Sequence, residues 1–159
     1  MSDPRIVETT FPVRYAETDQ MQIVHHANYM VWMEEGRSEF TRLDCALYPT
    51  TQSCAPGVRA SGADYTTLLC ARRAEVERGG YLFAVTGVQI RYLAPAHYGE
   101  RVTVRTWVEE LRSRTLTFGY EIINANSGTL LVTGQSEHVC IDRQGRVIRI
   151  PEAIRALLA

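Results

Sequence analysis

Residues 27–43, ANYMVWMEEGRSEFTRL, carry the longest helical spacing in the chain. Tyr29, Met33, Gly36, Phe40 and Leu43 recur at intervals of three and four, while Glu34, Glu35, Ser38, Glu39 and Arg42 populate the opposite face. This is an amphipathic helix with an apolar stripe to bury. Glu34 with Arg37, and Glu39 with Arg42, add favourable pairs at i,i+3. A helix of this length needs a broad apolar partner, and the flanking segments supply the strands of one.

Before the helix, residues 6–15 read as a strand, with Val7, Phe11, Val13 and Tyr15 on one parity and Glu8, Thr10 and Arg14 on the other. After it, residues 44–63, punctuated by Pro49, Pro56, Gly57 and Gly62, read as a long loop of the kind used as a lid or partner contact. Asp64 reads as the N-cap of a second helix through Tyr65, Leu68, Leu69, Arg72 and Val76, stopped at Gly79-Gly80. The remainder is strand-like. YLFAVTGVQIRYL (81–93) leads through a turn to RVTVRTWVEEL (101–111), where Val102, Val104, Thr106 and Val108 alternate with Arg101, Arg105 and Glu109. SRTLTFGYEII (113–123) alternates Leu116, Phe118, Tyr120 and Ile122, and TLLVTGQSEHVCID (129–142) and a short RVIRI (146–150) follow. Pro151 opens a small C-terminal helix. Helices placed early and antiparallel strands placed late predict an α+β domain over residues 1–159, with a curved antiparallel sheet wrapped around a long central helix. Its open edges are expected to meet a second copy.

The chain has 159 residues, 45% of them apolar and 22% charged, with a formal net charge of -1. That is a globular composition without the concentrated basic surface that nucleic-acid binding requires. No apolar run reaches the roughly 18 residues of a membrane span, and the N-terminus lacks a signal-peptide pattern, so the expected location is the cytoplasm. Cys45, Cys54, Cys70 and Cys140 form no CxxC pair and are expected as reduced, partly buried thiols.

GQSEH at 134–138 has histidine where a nucleophile elbow needs glycine, and it lies inside a strand pattern, so Ser136 is not expected to act as a nucleophile. Phosphate-cradling glycine motifs are absent and no cofactor is expected. Adjacent His25 and His26 with Asp19 lack metal-ligand spacing, so no metal is expected either, and His97 and His138 read as polar surface or turn residues. TDQMQIVHHANY (18–29) is the remaining candidate. Asp19 stands after the strand and before the helix, and His26 stands at the helix start, where backbone N–H groups are unpaired and the dipole favours negative charge. A carboxylate facing such an N–H is a minimal set for acyl transfer. On residue types alone, Asp19 and Asn28 serve equally well as turn and capping residues.

VRYAETDQMQIVHHANYMVWMEEGRSEF (13–40) resembles the signature of the 4-hydroxybenzoyl-CoA thioesterase family of hotdog-fold proteins, and IRYLAPAHYGERVTV (90–104) and SRTLTFGYEI (113–122) resemble its later strands. The resemblance implies a hotdog fold and hydrolysis of an acyl-CoA thioester to a carboxylic acid and free coenzyme A. It implies Asp19 as catalytic base or nucleophile, His26 as the residue whose backbone N–H polarises the thioester carbonyl, and Tyr15 near the acyl group. Gln22, Asn28 and Tyr29 become candidate substrate contacts, and Arg91, Arg112 and Arg114 candidate partners for the coenzyme A phosphates. It further implies a homodimer, or a tetramer built from dimers, with no metal or cofactor. Many relatives have glycine where this chain has Gln22, and the 48–63 segment is longer than the pattern. The alternative activities are a hotdog hydratase or dehydratase on acyl thioesters and a non-catalytic acyl-CoA binding module.

Overall fold

The computed structural model describes residues 5–46 and 79–158. Strand β1 (Val7–Pro12) is followed by a 3-10 turn (Tyr15–Glu17) and helix α1 (Asn28–Ala46). Strands β2 (Leu82–Tyr92), β3 (Arg101–Leu111), β4 (Thr115–Asn124) and β5 (Leu130–Ile141) come next, and helix α2 (Glu152–Leu158) ends the described chain. The five strands form one antiparallel sheet in the order β1-β3-β4-β5-β2. The proposed second helix with its Asp64 cap, most of the 44–63 loop, Cys54 and Cys70 lie outside the described residues.

The apolar stripe of α1 lies on the sheet. Tyr29, Met33 and Phe40 are buried, with Phe40 edge-on to Phe118 of β4 at 5.6 Å. Leu116, Phe118, Tyr120 and Ile122 of β4 are all buried beneath it, as their alternation requires. Gly36 is where the helix comes closest. A Cβ there would overlap Thr106 Oγ1 and lie 2.7 Å from Val104 Cγ1, so only glycine admits this approach.

Three expectations are corrected. The first strand ends at Pro12, and Tyr15 lies on the 3-10 turn, 76% exposed. The residues after Pro12 are drawn into a turn because the Glu17 carboxylate takes the Arg14 N–H. RVIRI forms no strand: Val147 makes a single bridge to Ile141, and Ile148 and Ile150 donate to the Cys140 and Ser113 carbonyls. His138 is a core residue, only 1% exposed, because the Ser136 hydroxyl lies 2.8 Å from its Nε2 and Arg37 Nη1 lies 3.3 Å from its Nδ1. Cys140 is a buried free thiol. No helix among the described residues is long and apolar enough to cross a membrane.

Candidate active site

After Pro12 the chain folds back on itself before entering α1. Thr18 bridges Val24, the Asp19 N–H donates to the Ile23 carbonyl, and the Gln22 N–H donates to the Asp19 carbonyl. Gln22 takes φ +62, the left-handed conformation that glycine adopts without strain. The loop therefore makes a glycine-type turn with a glutamine in it. Asp19 Oδ1 accepts the Met21 N–H at 2.8 Å, which fixes the carboxylate in an Asx-type turn. Oδ2 accepts no hydrogen bond among the described residues.

A second set of bonds docks this loop on the 94–100 turn. The Val24 N–H donates to the Ala96 carbonyl at 2.9 Å, Ile23 bridges His97, and the Ala96 N–H donates to the Tyr29 hydroxyl at 3.0 Å. Burial pushes the Tyr29 phenol up from its ordinary value. Tyr29 thus braces the helix start against the turn as a buried residue.

At the helix start one backbone donor stands open among satisfied neighbours. The His25 N–H donates to the Glu17 carbonyl, the Ala27 N–H to the His25 ring and the Asn28 N–H to the His25 carbonyl. The His26 N–H donates to no group among the described residues. N–H and C=O of a trans peptide point in opposite directions. Tying the His25 carbonyl to the Asn28 N–H therefore turns the His26 N–H away from the helix. The His26 carbonyl accepts the Tyr92 hydroxyl at 3.0 Å, which anchors the same residue to β2. The His25 and His26 rings, both exposed, lie 4.2 Å apart and tilted by 37°.

Sequence reasoning passed over Glu17, which is 4% exposed. Its carboxylate takes the Arg14 guanidinium at 2.8 Å and the Trp32 indole N–H at 3.0 Å. Burial works against the charged form, but these hydrogen bonds outweigh it and hold the Glu17 carboxyl below its ordinary range. Two signals pointed there: the i,i+3 spacing of Arg14 and Glu17, and the need of a buried indole for an acceptor.

The site candidates divide by position. Asp19, Gln22, His26, Asn28 and Tyr29 belong to the one loop-and-helix segment, and Tyr15 stands at its rim, edge-on to Tyr98 at 5.6 Å. Arg91 precedes Tyr92 near this end of the sheet but belongs to the other sheet face, opposite Thr133. Arg112 and Arg114 lie at the β3–β4 turn, at the far end of the sheet from the loop, and Arg112 is paired with Glu110 at 2.8 Å. Trp32 and Met33, which follow on the same helix, are core residues. Exposed apolar side chains (Met21, Met30, Val31, Tyr92 and Leu93) flank the loop.

Residues 13–158 match the profile of the Thioesterase-like superfamily. YneP of Bacillus subtilis, which carries the name of an acyl-CoA thioesterase, is 36% identical over 132 residues, 83% of this chain and 77% of its own. Among solved structures, hypothetical protein TT1821 of Thermus thermophilus superposes with a TM-score of 0.73 at 35% identity, covering 97% of this chain and 95% of that one. The DHNA-CoA thioesterase of Staphylococcus aureus superposes with a TM-score of 0.68 at 30% identity, covering 91% and 80%. A match running from the end of β1 through the last helix places the chain in the thioesterase-like superfamily, as a thioester hydrolase with the hotdog fold.

Proposed function

We propose that this hydrolase cleaves acyl-CoA thioesters to a carboxylic acid and free coenzyme A, with Asp19 as base or nucleophile and the His26 N–H as donor to the thioester carbonyl. The observation that carries the reading is the outward His26 N–H with no acceptor among the described residues, in the same segment as a carboxylate whose second oxygen is open. The names of the Bacillus and Staphylococcus relatives support a coenzyme A ester as substrate.

A carbonyl oxygen held by the His26 N–H gains negative charge as the carbon becomes tetrahedral, and the hydrogen bond strengthens as it does so. In the base route Asp19 takes a proton from water, and the oxygen adds to the carbonyl carbon. The C–S bond then breaks, and the proton passes to the coenzyme A thiolate. In the nucleophile route Oδ2 adds to the carbon, thiolate leaves, and water hydrolyses the resulting anhydride. Arg91 is the arginine we favour for the phosphates, because it stands exposed near the loop end with no ion pair among the described residues.

β2 is an edge strand with exposed Leu82, Val85, Val88 and Tyr92, and such an edge invites pairing with a second strand. We read it as the contact that joins two copies, with Tyr92 linking that edge to His26.

The test is release of free thiol from short, long and aromatic acyl-CoAs. Asp19→Asn is expected to keep its unfolding midpoint and to lose roughly two to four orders of magnitude in turnover. Wild-type turnover in that variant, on a substrate the parent cleaves, would sink the assignment.

A further inference from the structure

Glu17 is the one buried carboxylate among the described residues, and the chemistry above makes no use of it. Its Oε2 accepts the Arg14 N–H at 2.8 Å. Its Oε1 accepts Arg14 Nη2 at 2.8 Å, Arg14 Nε at 3.2 Å and Trp32 Nε1 at 3.0 Å. Its backbone carbonyl accepts the His25 N–H at 2.9 Å and Asn28 Nδ2 at 2.9 Å.

These bonds join four places at one residue. Arg14 is the chain entering the loop, and His25 is the chain leaving it. Asn28 is the first residue of α1, and Trp32 lies one turn further in. Asp19 follows Glu17 by two residues, and His26 follows directly on His25. The loop between them has its own turn bonds, but its two ends are held together, and to the helix, at Glu17. A surface turn can be closed by backbone bonds alone. Burying a carboxylate is costly unless donors satisfy it, and here the donors lie on both sides of the loop.

We propose that Glu17 is a positioning residue, which sets the spacing between the Asp19 carboxylate and the His26 N–H and so governs turnover without touching substrate. The proposal rests on the roles given to Asp19 and His26 above. A displacement of about 1 Å between reacting groups is enough to cost roughly a hundredfold in rate. Glu17→Gln preserves volume but has one acceptor oxygen, so its amide NH2 must face either the Arg14 N–H or the Arg14 guanidinium and indole. One arm of the clasp is lost.

Glu17→Gln is expected to lower kcat by roughly ten- to a hundredfold with KM within about twofold of the parent. The Trp32 indole N–H resonance should move, reporting the altered bond. The variant carrying both Glu17→Gln and Asp19→Asn should be no slower than Asp19→Asn alone, because a positioning effect disappears once the group it positions is gone. If Glu17→Gln does not fold, Asn28→Ala, which removes the second donor to the Glu17 carbonyl, should show the same split between kcat and KM with a near-parental unfolding midpoint.

Parental kcat in Glu17→Gln with a shifted indole resonance overturns the proposal, as does parental kcat in Asn28→Ala. Losses that multiply in the double variant also overturn it, since they would come from an effect independent of Asp19. Normal turnover in Asp19→Asn itself instead overturns the catalytic reading of Asp19. The two failures are therefore distinct.

Discussion

His138 sits under α1 with its ring between Arg37 and the Ser136 hydroxyl, which is in turn 2.8 Å from the Tyr120 hydroxyl. Burial first, and then the Arg37 charge, push its pKa from 6.5 to about 4. The unfolded chain takes up a proton on this histidine as pH falls through about 6.5, whereas the folded chain resists until about 4. Stability is therefore unaffected by this group above pH 6.5 and declines as pH falls across the window, by roughly 3 kcal/mol over the full shift. Urea unfolding at pH 7 and pH 5 should show about 2 kcal/mol of that loss in the parent and a flatter response in His138→Gln. The parity of His138 on β5 was legible from the strand pattern, but alternation cannot tell a satisfied polar core residue from a surface one. Gln22 gave a different difficulty. Glycine in many relatives is compatible with a left-handed turn, but nothing local tells that a glutamine keeps it; here Gln22 takes φ +62 with its N–H on the Asp19 carbonyl. Asp19 and His26 stood out as residue types, but the open N–H became visible only with its neighbours' bonds drawn.

The elements were the most legible level because their periods come directly from which face is buried. β3 spans the expected residues 101–111, and α1 departs by one residue at its start and three at its end. The misreadings came where a few contacts overrule the period: the Glu17 clasp ends β1 early, and 146–150 is held by isolated bonds. Gly36 was expected on the apolar face, but its purpose is closeness. Alanine there gains about 1 kcal/mol in helix propensity, yet its methyl must displace Thr106 and Val104, both β-branched and stiff at χ1. Overpacking of this kind costs about 1–3 kcal/mol. Gly36→Ala is expected to be net destabilising by up to roughly 2 kcal/mol, seen as a lower urea midpoint with unchanged slope.

The whole molecule has two unlike edges. β1 ends in Pro12, which donates no ladder bond, and carries Glu8 bonded to Arg105 across to β3. β2 carries exposed valines instead. Val88→Lys should leave the monomer fold intact and put a charge on the edge we assign to the second copy. Light scattering should then report a single-chain mass where the parent gives a multiple, and thiol release should fall with it. An unchanged mass would remove β2 from the interface. That the sheet would have open edges was foreseeable from the strand count, but which strands form them depended on the strand order, since β2 pairs with β5 across the whole intervening meander. The same order has a consequence in time. β3, β4 and β5 are joined by short turns and can pair locally, whereas bringing Val7 opposite Thr106 closes a loop of about a hundred residues. The segment with Asp19 and His26 hangs from the end of β1 and docks on the 94–100 turn, so its docking is expected to follow that slow closure. A chain that has built its meander but not yet admitted β1 has most of a sheet and lacks the docked segment to which we assign the catalysis.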